Sequence, residues 1–347
     1  MNADYIVVGC GLAGIAFCEQ LKKNNKTFVV FDNNSQVSSA VAGGLYNPVI
    51  LKRFTPVWKS GLQMDRSIPL YLDIEKELGI TLDHKMPVYR LFKSVEEQNN
   101  WFIASDKPNL NRWLSTNLIK NTNSHIDAEF GFGEVLETGR IDTPLLIKSY
   151  RENLKEKDLL ITESFNYNNL IHSEGSVIYN SIIAKNIVFA EGFGVKKNPF
   201  FKKLPLNGTK GELLIIHAPE IKIDFVLKSS VFLIPLGEDN YIVGATYNWT
   251  DKTNDSTPQA KKELLKRLKT FLNCEYEVKD HVAGIRPTVS DRRPLVGVHE
   301  THKNLFILNG LGTRGVMIAP YIANQLFEFI EHDAPLEKEI DIKRFLR

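Results

Sequence analysis

Apolar and polar positions in the first 32 residues are arranged as strand, helix and strand. Residues 5–8 (YIVV) and 28–31 (FVVF) are short apolar runs typical of strands buried on both faces of a parallel sheet. Between them, a helix is predicted to begin near Gly11 and to end at Asn24 and Asn25. Its mostly apolar face is formed by Ile15, Phe17, Cys18 and Leu21.

Three later stretches carry equally regular patterns. Asp142, Thr143 and Pro144 precede the apolar residues 145–147, so a cap residue and a proline predict a helix start. Residues 225–246 alternate and carry turn signals, which predicts an antiparallel sheet. Residues 304–308 read as a strand, followed by a glycine-rich turn and an amphipathic helix over 316–331. Together the patterns indicate an α/β protein with an additional antiparallel sheet.

Composition and charge exclude several classes of protein but do not indicate a binding partner. The 347 residues are 43% hydrophobic and 24% charged, which is ordinary for a globular chain of about two domains. The net charge of +2 gives no general attraction to nucleic acid or membranes. The three cysteines lack metal-ligand spacing, and no apolar run is long enough to span a bilayer. We therefore expect a cytoplasmic protein without a metal centre or a disulfide framework.

The first turn carries candidate chemistry. Gly9, Gly11 and Gly14 form a G-x-G-x-x-G directly after the first strand. The first glycine permits the tight turn, the second admits a pyrophosphate, and the third allows close packing of helix and strand. Asp32 follows at the spacing of an acid that binds ribose hydroxyls, and its charge disfavours NADP. The motif alone leaves FAD and NAD open.

A second glycine-rich turn lies near the other end of the chain. Gly310, Gly312 and Gly315 follow a predicted strand and open a predicted helix, whose free N–H groups would face a negative group. A reduced flavin fits this requirement, because its N1–C2=O edge carries negative charge.

Six segments in order resemble the D-amino-acid oxidase family of FAD-dependent oxidoreductases. This group includes glycine and sarcosine oxidases and the flavin domain of a tRNA 5-methylaminomethyl-2-thiouridine biosynthesis protein. Besides the opening motif, the segments are residues 38–45 (SSAVAGGL), 187–192 (IVFAEG), 208–213 (GTKGEL), 241–246 (YIVGAT), and the pair 284–297 and 304–315. The resemblance covers nearly the whole chain.

The resemblance implies an interleaved two-domain fold. A Rossmann-like FAD domain would comprise residues 1–66, 137–205 and 284–347. An α+β substrate domain on a mainly antiparallel sheet would comprise residues 67–136 and 206–283. FAD would be non-covalent, because the family's covalent members place a cysteine or histidine near the ring and residues 284–297 and 310–315 have neither.

The resemblance also assigns roles to individual residues. Arg286 would clamp a substrate carboxylate, with an ion pair to Asp291 as the structural alternative. Arg314 would contact the substrate or the flavin carbonyls, with carbonyl capping as its alternative. Tyr46, Asn47, Tyr247 and Trp249 are weaker candidates for the pocket wall. The predicted FAD contacts are Gly9, Gly11, Leu12, Ala13, Gly14, Asp32, Asn33, Ser39, Ala42, Gly43, Gly44, Ala190, Gly192, Arg286, Gly312, Thr313, Arg314, Gly315 and Val316. The eight histidines are scattered along the sequence and are expected to have structural roles.

Three functions follow from these expectations. The first is oxidation of the C–N bond of a small amine with a carboxylate, such as glycine, sarcosine or a D-amino acid, by hydride transfer to flavin N5. The second is removal of a carboxymethyl group from a tRNA wobble uridine, favoured by the Gly-Thr-Arg-Gly turn and by five lysines among aromatics over residues 196–210. The third is a flavoprotein subunit without its own turnover. A homo-oligomer is compatible with each.

Overall fold

A computed structural model describes residues 1–173 and 175–345. Its α-helices are α1 Leu12–Lys23, α2 Ser60–Leu78, α3 Val95–Ser105, α4 Thr143–Glu156, α5 Pro258–Leu268 and α6 Gly315–His332. Short 3-10 helices cover Tyr167–Asn169, Gly192–Lys197 and Ile342–Phe345. The strands are β1 Asn2–Val8, β2 Phe28–Phe31, β3 Leu45–Tyr46, β4 Val49–Ile50, β5 Thr55–Pro56, β6 Asp83–Lys85, β7 Val88–Leu91, β8 Leu114–Ile119, β9 Phe132–Val135, β10 Gly139–Ile141, β11 Leu160–Ile161, β12 Leu170–Ser173, β13 Ser176–Tyr179, β14 Ile182–Phe189, β15 Thr209–His217, β16 Val226–Lys228, β17 Phe232–Gly237, β18 Asn240–Gly244, β19 Glu277–Arg286, β20 Leu295–Val298 and β21 Leu305–Asn309.

The first sheet is built around a parallel centre. Its strand order is β11-β2-β1-β14-β13-β12, and β21 joins β14 and β20. Strand β1 pairs in parallel with β2 and β14, and β14 pairs in parallel with β21. Both predicted apolar runs are buried in these central strands, as continuous hydrophobic strands require. The α/β class is confirmed.

A second sheet of eight strands has the order β19-β15-β18-β17-β16-β7-β9-β8. All its pairings are antiparallel except that between β16 and β7. Residues 225–246 supply the consecutive strands β16, β17 and β18, so the predicted antiparallel sheet is confirmed there. A small third sheet pairs β3, β10 and β6.

Chain segments alternate between the two large sheets. The first sheet takes strands from residues 2–31, 160–189 and 295–309, and the second takes strands from 88–135 and 209–286. Helix α2 runs through the predicted boundary between residues 66 and 67, and β19 extends past the one at 283. The five-segment division therefore stays a prediction, and two of its boundaries fall inside these two elements.

Local signals explain where the helices begin. The Asp142 side chain accepts a hydrogen bond from the Leu145 N–H at 3.1 Å and so caps α4. Helices α1 and α6 pack against each other, and neither has a side-chain cap at its N-terminus. Among the helices of residues 1–173 and 175–345, none is long and apolar enough to cross a membrane.

Candidate active site

A cavity of about 700 Å³ runs from the turn after β1 to the face of the second sheet. It is lined by every predicted FAD contact except Gly14. The structure thus brings together residues from positions 9 to 316, although their individual roles remain predictions. Gly14 instead lies against the backbone of Gly9, where a Cβ atom would overlap the Gly9 carbonyl oxygen. That position agrees with the packing role expected of the third glycine.

Two helix N-termini are directed at this cavity. At α1, Gly11 has no side-chain cap partner, and both Leu12 and Ala13 line the cavity. At α6, Arg314 is the N-cap residue, and the first turn contains no acidic side chain. The Leu12 N–H of α1 donates to the Ser39 hydroxyl at 3.2 Å, but the other N–H groups of the two first turns and the positive ends of the helix dipoles favour negatively charged groups at both places. An elongated cofactor with a pyrophosphate and a ring that becomes anionic fits this pair.

Close backbone approach explains the glycines of the turn. A Cβ atom on Gly9 would overlap the carbonyl oxygen of Ala190, because β1 and β14 run side by side at this point. Gly9 also has a φ of +108°, which side-chain-bearing residues rarely adopt. A Cβ on Gly11 would meet the Ser39 side chain rather than backbone, with its hydroxyl oxygen at 3.0 Å.

Asp32 is held by three protein donors. Its Oδ2 accepts from the Cys10 N–H at 2.6 Å, and its Oδ1 accepts from the Asn34 N–H at 2.7 Å. The Arg151 guanidinium of α4 also donates to Oδ1. Three of its roughly four acceptor positions are thus used, so binding of both ribose hydroxyls, which stays a prediction, would displace one of these donors. Sequence spacing gave no sign of Arg151, because the contact joins positions 119 residues apart.

Glu191 lies buried on the cavity wall beside Ala190. Its carboxylate accepts from the Asn198 side-chain amide at 2.8 Å and from the Tyr167 hydroxyl. Burial outweighs these hydrogen bonds and raises the pKa of Glu191 to about 7. The carboxyl is therefore largely protonated below neutral pH, where a phosphate-bearing cofactor meets little repulsion from it.

This shift predicts a pH-dependent stability. Between pH 4.5 and about 7 the folded cofactor-free protein holds a proton on Glu191 that the unfolded chain has released. The free energy of unfolding should therefore fall as pH rises through this window, by up to about 3 kcal/mol. Glu191→Gln should remove that dependence, whereas Glu152→Gln at an exposed position should keep it. Urea titrations at pH 5 and 8 give the free energy of unfolding at each pH. An equal change between the two pH values for wild type and Glu191→Gln would contradict the prediction.

Arg286 ends β19 and leans across the second sheet. Its guanidinium lies over Gly211 of β15, where any Cβ atom would overlap it, and donates to the Thr246 carbonyl at 3.3 Å. The Tyr247 ring lies 4.7 Å from the Arg286 Cζ atom. Among the described residues, Arg286 has no carboxylate within ion-pair distance. The alternative ion pair with Asp291 is wrong, because Asp291 pairs with Arg344 at 2.8 Å.

Arg314 faces the same space from the first sheet's side. Among the described residues, its side chain has neither a carboxylate partner nor a hydrogen bond, so carbonyl capping does not explain it. Burial lowers the pKa of both Arg286 and Arg314. Two partly buried guanidinium groups without carboxylate partners have most of their donors available for an anionic ligand.

The weaker candidates divide. Asn47 and Tyr247 line the cavity, but the Asn47 side chain accepts from the Val49 N–H within its own turn. Tyr46 is buried and donates to Asp83, so its assignment to the pocket wall is wrong. Trp249 is 52% exposed and lies outside the residues that line the cavity.

Lys228 was missed from the sequence. It lines the cavity from the end of β16, and its Nζ lies 4.6 Å from the centre of the Phe232 ring. Burial and the nearby Arg314 and Arg90 lower the pKa of Lys228 to about 8. In the sequence, Lys228 is a single basic residue at the end of an apolar strand. This pattern is equally typical of a strand end exposed to solvent, so it did not indicate a cavity residue.

Other polar groups come together away from the cavity. The rings of His172 and His302 stack 3.9 Å apart, and His299 lies 5.0 Å from His302, so these histidines are not scattered in the fold. His125, Glu220 and Cys274 also place potential ligand atoms within 4.8 Å of one another. Lys210 is fully buried and pairs with Asp251 at 2.5 Å, so its place in an RNA-binding lysine group is wrong.

The cavity also bears on how FAD is attached. Among the described residues that line it there is no cysteine or histidine. Without a nucleophile of the type used in covalent flavoproteins, we expect acid precipitation to release all of the yellow cofactor into the supernatant. A yellow pellet after washing in denaturant would contradict this expectation.

Comparisons with known proteins agree with this geometry. The chain is 23% identical over 340 residues to glycine oxidase from Bacillus subtilis (strain 168), covering 91% of this chain and 90% of that protein. It is 18% identical over 308 residues to the tRNA 5-methylaminomethyl-2-thiouridine biosynthesis bifunctional protein MnmC of Campylobacter jejuni, covering 85% of this chain but only 46% of that one. The crystal structure of glycine oxidase from Bacillus cereus superimposes with a TM-score of 0.79 at 18% identity, covering 96% of both chains.

The family itself is shown by a model that spans most of the chain. Residues 4–328 match the family described as FAD dependent oxidoreductase (DAO). The match includes both glycine-rich turns, the second sheet and both cavity arginines. The chain therefore belongs to the DAO family of FAD-dependent oxidoreductases.

Proposed function

We propose that the protein oxidises the C–N bond of a small amine that carries a carboxylate, of the glycine, sarcosine or D-amino-acid type. The observation that carries this proposal is Arg286, a partly buried guanidinium on the wall of the cavity that has no carboxylate partner among the described residues. Gly211 gives it room, and Tyr247 covers one face. A planar fork held in this way suits bidentate binding of a carboxylate.

Position and charge favour the reaction at the end of the cavity that carries Arg286, called the reacting end below. When bound, FAD accepts a hydride at its N5 atom. Arg286 would hold the substrate by its carboxylate and so orient the neighbouring carbon, while Phe232 and Ile234 of β17, on the same face of the sheet, exclude water. The hydride carries two electrons away from that carbon, the amine proton leaves to solvent, and water hydrolyses the resulting imine.

The charges also favour the reactive form of the amine. Three acidic residues line the cavity. Asp32 lies near the turn after β1, Glu163 lies beside Asn33, and Glu191 lies beside Ala190. The reacting end instead carries Arg286, Arg314 and Lys228. Neighbouring cations lower the pKa of a bound ammonium group, so the amine loses its proton without a dedicated base.

The test compares amines that differ only in the carboxylate. Glycine against methylamine, and sarcosine against dimethylamine, should show at least a hundredfold preference in kcat/KM for the acid, measured by dye reduction. Equal rates within each pair would contradict the role given to Arg286. No turnover with any amine, alongside bound FAD, would favour a flavoprotein subunit without its own turnover.

A second candidate substrate is supported by two exposed aromatic side chains. Tyr247 is 60% exposed at the cavity margin, and Trp249 is 52% exposed two residues later. Such rings can stack on unpaired bases. A carboxymethylaminomethyl uridine contains the same N–CH2–carboxylate unit, so Arg286 would serve it as well. Accumulation of this nucleoside in tRNA from a deletion strain supports the candidate, and an unchanged nucleoside profile argues against it.

A further inference from the structure

The cavity holds more positive charge than a simple amino acid requires. Three cations line its reacting end: Arg286, Arg314 and Lys228. The structure gives none of them a carboxylate partner among residues 1–173 and 175–345. Partly buried charges without partners are costly, so a binding site with this composition favours anionic ligands.

Two of these cations have clear partners in the proposed reaction. Arg286 takes the substrate carboxylate. Arg314, together with the N-terminus of α6, lies where the electron-rich edge of the flavin is expected. Lys228 remains without a negative group. Arg90 is a different case, because it already pairs with Glu97 at 2.6 Å.

The sheet register places Lys228 and Arg286 on the same face of the second sheet. Lys228 pairs with Phe232, Phe232 with Gly244, and Gly244 with Leu213, so these residues share one face of the sheet. Gly211 lies two residues before Leu213, on the same face, with the Arg286 side chain over it. Both cations therefore project from one wall of the cavity.

The two charged groups also lean toward each other. The Lys228 Nζ lies over Phe232 of β17, and the Arg286 guanidinium reaches Thr246, just beyond β18. One to two strand spacings across the sheet and an offset of two residues along the strands then separate them, which is roughly 8–12 Å. This distance suits two acidic groups separated by an amine and several methylenes.

We propose that the substrate carries a second anionic group, a carboxylate or phosphate, which binds Lys228 while its amino-acid carboxylate binds Arg286. This inference rests on the proposed function, since it assumes that Arg286 holds the first carboxylate. It narrows the substrate class to amines with an acidic group at each end.

The test uses matched pairs of N-substituted glycines. In each pair the substituent ends either in a carboxylate or in a methyl group, with two to five methylenes between it and the nitrogen. At one length, the wild-type enzyme should prefer the acid at least tenfold in kcat/KM, since a charge-assisted hydrogen bond contributes more than an exposed pair. A phosphonate series run in parallel distinguishes phosphate from carboxylate.

Two variants test whether Lys228 causes the preference for acidic substituents. In Lys228→Met the ratio between acid and alkyl substrate should fall to about one. Lys279→Met, at an exposed lysine of the same sheet, should keep the wild-type ratio. Binding provides a readout without turnover: glutarate should perturb the visible spectrum of bound FAD at lower concentration than butyrate in wild type, but not in Lys228→Met.

The outcomes separate this inference from the proposed function. Turnover of sarcosine without any preference for acidic substituents would overturn the inference and leave the function intact. A preference that survives in Lys228→Met would also overturn it. Absence of turnover with every amine would reject the proposed function, and the glutarate titration would then still report on Lys228.

Discussion

Arg286→Met is expected to lower kcat/KM for carboxylate-bearing amines by about 10²- to 10⁴-fold, because losing one partner of a buried charge pair costs about 3–5 kcal/mol. The loss should appear in both substrate affinity and the rate of flavin reduction, since Arg286 is proposed to bind and to orient the substrate. Rapid mixing of enzyme and substrate without oxygen measures both quantities. The visible spectrum of the variant reports whether FAD is still bound.

Two further variants separate charge from geometry at Arg286. Arg286→Lys keeps the charge but loses the planar fork, so we expect an intermediate loss. Gly211→Ala keeps the arginine but places a methyl group where the guanidinium lies, so it should approach the effect of Arg286→Met. An Arg286→Met enzyme with wild-type kcat/KM for sarcosine would reject the proposed role.

Gly14→Ala is expected to destabilise the protein by about 3 kcal/mol or more, since overpacked sites cost about 1–3 kcal/mol even when side chains can yield. Here the added Cβ atom would overlap the Gly9 carbonyl oxygen and approach its carbon to 2.9 Å, and both are backbone atoms. Relief requires moving α1 away from the turn after β1, which also moves the N–H groups directed at the cavity. The variant should therefore lose FAD as well as stability.

Gly61→Ala is the matched control for this prediction. Gly61 lies in α2, and a Cβ atom there would have no neighbour within 4 Å. The same substitution should leave FAD bound and raise the free energy of unfolding by about 0.4–1 kcal/mol. Thermal unfolding and flavin content of both variants test the pair, and a Gly14→Ala protein that binds FAD as tightly as wild type would contradict the packing argument.

The sequence predicted strands β1, β2 and β21 of the first sheet and both glycine-rich turns, because these features depend on local patterns. Residues 28–31 form β2 as expected, and the helix predicted over 316–331 occupies Gly315–His332. Gly9 and Gly14 could be interpreted from their spacing alone, since a tight turn between strand and helix leaves few alternatives.

Contacts between distant segments were beyond local patterns. The Arg151 side chain reaches Asp32 from helix α4, and the burial of Lys210 depends on Asp251 across a loop. Likewise, His172 meets His302 only because β12 and the turn before β21 lie close together in the fold. None of these pairs has a signal at short spacing.

Lys228 shows the same limit at the candidate site. Its position in the cavity follows from the register of β16 against β17, which the sequence does not state. Arg286, by contrast, could be singled out by its resemblance to a known segment, but its lack of an ion-pair partner required the structure. The chemistry of the cavity thus depends on tertiary contacts more than on motifs.

The most direct test of the proposed C–N oxidation is the absorbance of the bound flavin when the purified protein is mixed, without oxygen, with carboxylate-bearing amines. The proposal predicts that at least one of glycine, sarcosine, a D-amino acid or an N-carboxyalkyl glycine bleaches the visible flavin band, whereas methylamine does not. A flavin band that every one of these amines leaves unchanged, in protein whose FAD dithionite reduces normally, would contradict it.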